Sequence, residues 1–474
     1  SADAIERCVD KSMTLHCVRQ AGLPTPTTIT TEISKTAHAF LTDQTCQNGI
    51  VLKPIFGSQG NGLRHIKTPD QLPEPRDIGG VYHLQNYLPP NEHERFADFR
   101  ILVSNGRALA AMKRTSTTWP TNVHQGGEPT SIDLTSTDNE HLARLAVAAT
   151  QSVGARYAGV DVICDQDNTP QILEINSNPA WKGLQSVANL EIADHLVADF
   201  MTAQRDTQIE TAFKTACDLE LRALKPGNVH IFGDGHRMTV ETFTKSAHAA
   251  APYIADRALT VGQRIRAAVA ATSAAVGCNT NLGICLLCAP LAHAARSNPA
   301  SADALRSALT RTLASLSIED AEEAYTAIRI ASPAGLGTSQ VQDVNQTPDT
   351  NLREAMALSA AYDRLGQAYA DNFEDLFQVA LPALQTALQR AASIETATTR
   401  LHMALLSLFP DSHIARKHGL SAAETVRAEA KSKLDAPHED LLSFDSDLKA
   451  RGLNPGTTAD LVVATLFIHH LISR

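Results

Sequence analysis

Residues 159–179 read Gly159-Val160-Asp161-Val162-Ile163-Cys164-Asp165-Gln166-Asp167-Asn168-Thr169-Pro170-Gln171-Ile172-Leu173-Glu174-Ile175-Asn176-Ser177-Asn178-Pro179. Apolar, β-branched residues dominate 159–164 and 171–175. The Asp-Gln-Asp-Asn stretch between them is rich in turn formers, which predicts two strands around a turn. Asp161 lies between Val160 and Val162, where an unpaired charge is costly to bury. Glu174 and Asn176 are two apart at a strand end, so both project from one face. Joined by an aspartate from the neighbouring strand, they make an oxygen-only set that suits Mg²⁺ (or Mn²⁺) between protein and nucleotide phosphates. Strand-end carboxylates facing solvent are the alternative, and the apolar flanks of Asp161 favour the metal.

Upstream, residues 50–56 and 81–87 also read as strands. Residues 98–113 read as a hairpin about Asn105-Gly106, and 139–153 has helical spacing, with Leu142, Leu145, Ala146, Ala149 and Val153 on one face. Lys53 precedes the loop Phe56-Gly57-Ser58-Gln59-Gly60-Asn61-Gly62. Such a loop lets backbone N–H groups close over phosphates while the ammonium neutralises them, although a plain β-turn uses the same glycines. Asp98-Phe99-Arg100 and Lys113-Arg114 place basic residues on adjacent strands, where they can clamp a carboxylate or acyl phosphate or simply form a solvated pair. Asn122-Val123-His124-Gln125-Gly126-Gly127 follows. This part is α/β.

In this order the motifs resemble the ATP-grasp superfamily, and within it the RimK-like glutamate ligases. The resemblance runs from Asp10-Lys11 and Ala21-Gly22-Leu23-Pro24-Thr25-Pro26 to Asn178-Pro179 and covers about residues 5–200. It implies that Lys11, Lys53 and the loop Gly57, Ser58, Gly60 and Gly62 bind ATP phosphates. The backbone of Gln85, Asn86 and Tyr87 would hold adenine, Asp161, Glu174 and Asn176 would hold Mg²⁺, and Arg100 and Arg114 would steady an acyl phosphate. The implied chemistry is a carboxylate plus ATP to an acyl phosphate, then attack by an amine. The segment 178–184 looks most like ligases of one-carbon coenzyme assembly, such as methanofuran or tetrahydromethanopterin. Asn86 stands where a glutamate is common. These ligases carry a further α/β domain before the first lysine, and only ten residues precede Lys11 here. The expectation is either that this domain has been trimmed away or that this half is incomplete as an enzyme.

Beyond residue 205 the β signal fades, and helical patterns cover 207–223, 259–276, 282–296, 301–314, 319–330, 351–371, 373–391, 394–408, 420–434 and 458–472. Two domains, 1–204 and 205–474, are expected: an α/β ATP-grasp domain, then an all-α one. Between the helices lie Lys225-Pro226-Gly227-Asn228-Val229, Asn279-Thr280-Asn281-Leu282-Gly283, Gly335-Leu336-Gly337 with Gln342-Asp343-Val344, and Pro410-Asp411-Ser412-His413-Ile414-Ala415-Arg416-Lys417. Asn454-Pro455-Gly456-Thr457-Thr458-Ala459-Asp460 opens the last helix. Asp363, Gln367 and Asp371 are spaced along one helical face. Each stretch serves equally as a cap or turn, and Asp460 can simply favour the helix dipole. Together they pair cations with Asn/Gly backbones, as a triphosphate site requires.

The same loops resemble the triphosphoribosyl-dephospho-CoA synthase family over about residues 210–474. That implies transfer of a triphosphoribosyl group from ATP to a hydroxyl of dephospho-CoA or a related acceptor, with adenine leaving. Lys225, Arg416 and Lys417 are then expected on phosphates, with Asn279, Asn281 and Gly283 at a phosphate-receiving helix end. Asp343 and Asp363 are expected on metal or ribose, and Asp411 or His413 in proton transfer.

Bulk properties agree with a fused biosynthetic enzyme using ATP, Mg²⁺, an amino acid such as glutamate and a coenzyme precursor. A synthase with a non-catalytic nucleotide-binding module is the alternative. A chain of 474 residues exceeds one ordinary core. The net charge of -10 argues against a nucleic-acid partner. No run of about 18 apolar residues suggests a membrane span. The eight cysteines are scattered, as reduced thiols of a cytoplasmic protein would be. Oligomeric state is left open, with a homo-oligomer among the states allowed.

Overall fold

Among the described residues of the computed structural model, strands form within residues 1–203 and helices carry residues 204–474; these are the two compact units of the chain. Residues 2–43, 46–57, 61–90, 95–234, 238–333 and 342–473 are described.

In the first unit, β1 (Thr28–Thr31), β2 (Ile50–Leu52), β3 (Arg64–Ile66) and β4 (Tyr82–Asn86) form an antiparallel sheet in the order β1-β4-β2-β3. The helix Ser34–Leu41 closes its core of Ile50, Leu52, Ile66, Tyr82 and Leu84. The strand expected over 50–56 stops at Leu52. The Lys53 N–H still donates to the His83 carbonyl at 2.9 Å, but Pro54 has no N–H with which to extend the ladder.

The second sheet holds β5 (Phe96–Ser104), β6 (Arg107–Ser116), β7 (Glu128–Ile132), β8 (Tyr157–Cys164) and β9 (Pro170–Asn176), ordered β7-β6-β5-β8-β9. Asn105 and Gly106 both take positive φ, 48° and 79°, as a two-residue turn matched to strand twist requires. The helix Glu140–Ser152 packs Leu142, Ala146 and Ala149 on Ile101, Val103, Val160, Val162, Ile172 and Ile175. Each such large apolar side chain contributes roughly 1.5–3 kcal/mol on burial. Asp161 pairs with Glu174, while Val162 pairs with Ile172, so Leu173 is bulged out. Ile172 and Glu174, two apart, therefore face opposite sides, one into the core and one away from it.

The second unit buries one large helical core that includes Phe213, Leu286, Tyr369, Leu401, Val462 and Phe467. Side-chain caps from Thr260, Ser301, Ser317, Ser393 and Asp411 start its helices. The segment 203–207 lies inside the helix Ile192–Arg222. The single helix expected over 351–371 is instead two, Leu352–Ala357 and Arg364–Asp371. Asp363 is not on their shared face: it caps the second, accepting from the Leu365 N–H at 3.0 Å. The stretch expected at 373–391 opens with π-helical residues Asp375–Ala380 before Leu381–Arg390. The helices Val240–Ala255, Ser412–His418 and His438–Ala450 went unread in the sequence. Among the described residues no helix is long and apolar enough to cross a membrane.

Candidate functional site

In the first unit, strand register assembles the site. Asp98 stands opposite Arg114, Arg100 opposite Asp161, and Asp161 opposite Glu174. Alternation places all five on the face away from the helix Glu140–Ser152. Arg100 holds Asp161 through both oxygens, with Nη2 at 2.7 Å from Oδ2. Arg114 grips Asp98, with Nε at 2.8 Å from Oδ1, and reaches Asp161 Oδ1 at 3.1 Å. Burial opposes ionisation of Asp161, but the two guanidiniums outweigh it and hold the carboxyl below the usual range.

A cleft of about 1090 Å³ opens over this cluster, lined by Lys11, Lys53, Gly57, Asn61, Gln85, Asn86, Tyr87, Trp119, Asp98, Arg114, Asp161 and Glu174 among others. Lys53 donates to Gln85 Oε1 at 2.5 Å, and burial brings its ammonium down to about 8. Lys11 donates to the Gly57 carbonyl at 2.9 Å. Both expected cations therefore face one cleft. Gly62 takes φ +77° in the glycine loop; Ser58 and Gly60 lie outside the described residues. The Asn86 and Tyr87 N–H groups already donate to the Thr27 and Gly49 carbonyls, so neither remains as a donor for a base edge. Sequence reading missed an aromatic wall: Tyr87 stacks on His65 at 3.9 Å, and Trp119 meets Tyr87 edge-on at 6.1 Å. Its members are far apart in sequence, and no local pattern announces it.

No group of three His, Cys, Asp or Glu side chains converges as a metal site among the described residues. The first unit offers two carboxylates and an amide. Asn176, level with Gly159 next to the Asp161–Glu174 pair, has a buried Nδ2 without a hydrogen-bond partner. A half-turn of its amide would put oxygen in that place. An oxygen-only set with one orphaned amide fits a hard divalent cation.

The second unit has a cavity of about 2000 Å³, open to solvent, lined by Asn228, Asn279, Thr280, Gly283, Tyr325, Asp343, Tyr362, Asp363, His413, Arg416, Glu220 and Asp460 among others. Asn279 Oδ1 accepts from the Leu282 N–H at 3.2 Å, opening the helix Leu282–Ala295. Arg416 stands 3.7 Å from Asp363. Asp343 accepts from the Asn345 N–H at 2.8 Å.

Five residues sit differently from expectation. Lys225 is wholly buried and ion-paired to Glu220 beside Asn228, so it does not face the cavity. Lys417 is exposed and Asn281 is buried against Thr272; neither lines the cavity. Asp411 is saturated by the Ile414 N–H at 3.0 Å and by the Thr458 N–H and hydroxyl at 2.8 Å each, so it pins two helix starts together. Asp460, read as a dipole partner, instead lines the cavity; an acid inside an otherwise apolar helix was its signal.

The first unit thus has the build of an ATP-grasp fold, and the second is an all-helical unit around a polar-lined cavity. The RimK-like ATP-grasp domain family matches residues 8–200, and the ATP:dephospho-CoA triphosphoribosyl transferase family matches residues 206–474. The chain belongs to both families, one along each stretch, and both are families of enzymes. The tetrahydromethanopterin:alpha-L-glutamate ligase of Methanococcus maripaludis is 30% identical over 210 residues, 43% of this chain and 69% of that protein. The ligase of the same name from Methanocaldococcus jannaschii is 33% identical over 207 residues, 41% of this chain and 67% of that protein. A solved protein from Archaeoglobus fulgidus that bears the triphosphoribosyl-dephospho-CoA synthase name is 21% identical, with TM-score 0.41, over 48% of this chain and 98% of that one. The solved ATP-grasp ligase PsnB is 22% identical, with TM-score 0.32; the match covers 41% of this chain and 59% of PsnB.

Proposed function

We propose that residues 1–204 join a carboxylate to an amine through an acyl phosphate, with glutamate as the amino acid. Residues 205–474 would transfer a triphosphoribosyl group from ATP to dephospho-CoA or a related hydroxyl acceptor. The observation that carries the ligase reading is the register of Asp161 against Arg100 and Glu174, facing a cleft that Lys11 and Lys53 also enter. The two lysines neutralise ATP phosphates. Arg100 and Arg114 transfer part of their charge pairing from Asp161 and Asp98 to the acyl phosphate as it forms. Asp161, Glu174 and Asn176 would hold Mg²⁺, which when bound withdraws charge from the phosphates. Glutamate is supported by the names of the two methanogen relatives. Those names also support a place in one-carbon coenzyme assembly, which suits a second unit acting on a coenzyme precursor.

In that second unit, the start of the helix Leu282–Ala295 and Arg416 take the triphosphate, Asp343 and Asp363 take ribose hydroxyls, and His413 serves proton transfer. The test is mass spectrometry after incubation with ATP, Mg²⁺ and dephospho-CoA, and separately with ATP, Mg²⁺, glutamate and pterin or furan coenzyme precursors. Free adenine with a triphosphoribosyl adduct supports the transferase, and ADP with an amide product supports the ligase. ATP left intact in both incubations rejects both activities.

A further inference from the structure

The acids around the second cavity are nearly all committed. Asp411 is saturated by Ile414 and Thr458, Glu220 is paired to Lys225, Asp363 caps a helix, and Asp343 accepts from Asn345. Asp460, one turn into the helix Gly456–Ile472, faces the same cavity and makes no hydrogen bond or ion pair among the described residues. Its Oδ2 lies against Gly283 in the first turn of the helix Leu282–Ala295, where an added Cβ would stand 2.0 Å away. A side chain at that position would push the carboxylate aside.

We infer that the Asp460 carboxyl is the proton donor to the departing purine, an inference that rests on the triphosphoribosyl transfer proposed above. The C1′–N9 bond of ATP breaks, its electron pair passes into the purine, and the Asp460 proton goes to a ring nitrogen, so adenine leaves neutral. The acceptor oxygen forms the new bond to C1′, and its proton passes to the His413 imidazole, which lines the same cavity. The carboxylate left behind lies at the positive end of the helix Leu282–Ala295. Proton return from His413 to Asp460 through solvent resets both groups.

The surroundings suit an acid that keeps its proton until it is needed. Facing Asp460 are Glu220 and Lys225, Asp363, the Asp411, His413 and Arg416 group, and Cys285 and Cys288 on the helix Leu282–Ala295. Glu220 neutralises Lys225, which leaves Arg416 against Asp411 and Asp363. Burial first, then Asp411, Glu220 and Asp363, push the Asp460 carboxyl well above the usual range.

The experiment compares the full chain, Asp460→Asn and Asp460→Glu with ATP, Mg²⁺ and dephospho-CoA, following adenine by mass spectrometry across pH. The wild-type rate should fall as pH rises through the Asp460 pKa. Asp460→Asn should be about 100- to 10,000-fold slower without that alkaline fall, and Asp460→Glu should recover part of the rate. ATP methylated at N7 carries a base that is already cationic and leaves without a proton. With it, wild type should lose the alkaline fall, a result that does not depend on how well the variants fold. An Asp460→Asn rate equal to wild type, or the same alkaline fall with both nucleotides, overturns the inference alone. No free base from wild type, neither adenine from ATP nor 7-methyladenine from the methylated nucleotide, overturns the transfer reading and the inference with it.

Discussion

Asp161 joins three tasks at one carboxylate: it neutralises Arg100 and Arg114, closes the strand register, and faces the cleft. Asp161→Asn keeps the shape but leaves two buried guanidiniums short of charge. Breaking such a buried pair costs about 3–5 kcal/mol, so the denaturant midpoint of the first unit should fall. Both tryptophans, Trp119 and Trp181, lie in that unit and report it by fluorescence. ADP formation should also be lost; a variant that folds and still releases ADP at the wild-type rate would remove Asp161 from the ligase site. Lys225 makes the opposite case. Its ammonium is enclosed with Glu220, so Lys225→Ala should destabilise the second unit by about 3–5 kcal/mol and leave the KM for ATP unchanged at temperatures where the variant is folded. A selective rise in KM without loss of stability would return Lys225 to the phosphates.

At the scale of elements, the helices Val261–Val276 and Ile318–Ala331 approach backbone to backbone. Asp320 caps its own helix through Ser317, and its Oδ1 also accepts from the Gly262 N–H and the Thr260 hydroxyl, both at 2.7 Å. A Cβ on Gly262 would stand 2.5 Å from the Asp320 backbone. Gly262→Ala should therefore cost about 1–3 kcal/mol of overpacking, lowering the helical unfolding midpoint by circular dichroism while the tryptophan transition holds. Unchanged helical unfolding would show that the two helices slide apart freely. Elements of this kind were legible where pattern and punctuation agreed: 282–296 and 394–408 are long apolar helices with clear ends, and the hairpin at Asn105-Gly106 carries its own turn signal. The break at 358–363 was not, because Asp363 fits a helix interior by spacing and becomes a cap only when its carboxylate finds the Leu365 amide. The bulge at Leu173 was equally silent, since only pairing to Val162 reveals it. Site residues on strands followed from alternation. Lys225 and Asp411 were misplaced because a polar loop reads alike whether its side chains turn toward a ligand or toward one another.

For the whole molecule, each unit carries a buried neutral histidine that contributes to its acid response. His83 on β4 is lowered to about 4 by burial first, then by Lys53 and Lys11. His402 in the helix Ile394–Leu408 is lowered to about 3 by burial first, then by Lys225 and His230. Both folded values lie below the ordinary 6.5, so on acidification the unfolded chain takes up these protons first. The stabilisation from each histidine is complete above about pH 6.5 and is lost as pH falls toward the folded value, at about 1.4 kcal/mol per pH unit for each group. Buried acids with raised values, Asp460 and Asp411 among them, respond in the opposite sense, so the raw pH profile mixes the two. Comparison with a non-titrating side chain separates them. The stability difference between wild type and His83→Gln should shrink between pH 6.5 and 5 by about 2 kcal/mol in the tryptophan transition, with the helical transition following the wild-type pH dependence. His402→Gln should produce the mirror result, moving the helical transition by a similar amount and leaving the tryptophan signal alone. A pH-independent difference for either variant would mean that its histidine titrates alike in the folded and the unfolded chain. A change in both transitions from one variant would mean that the two units unfold as one.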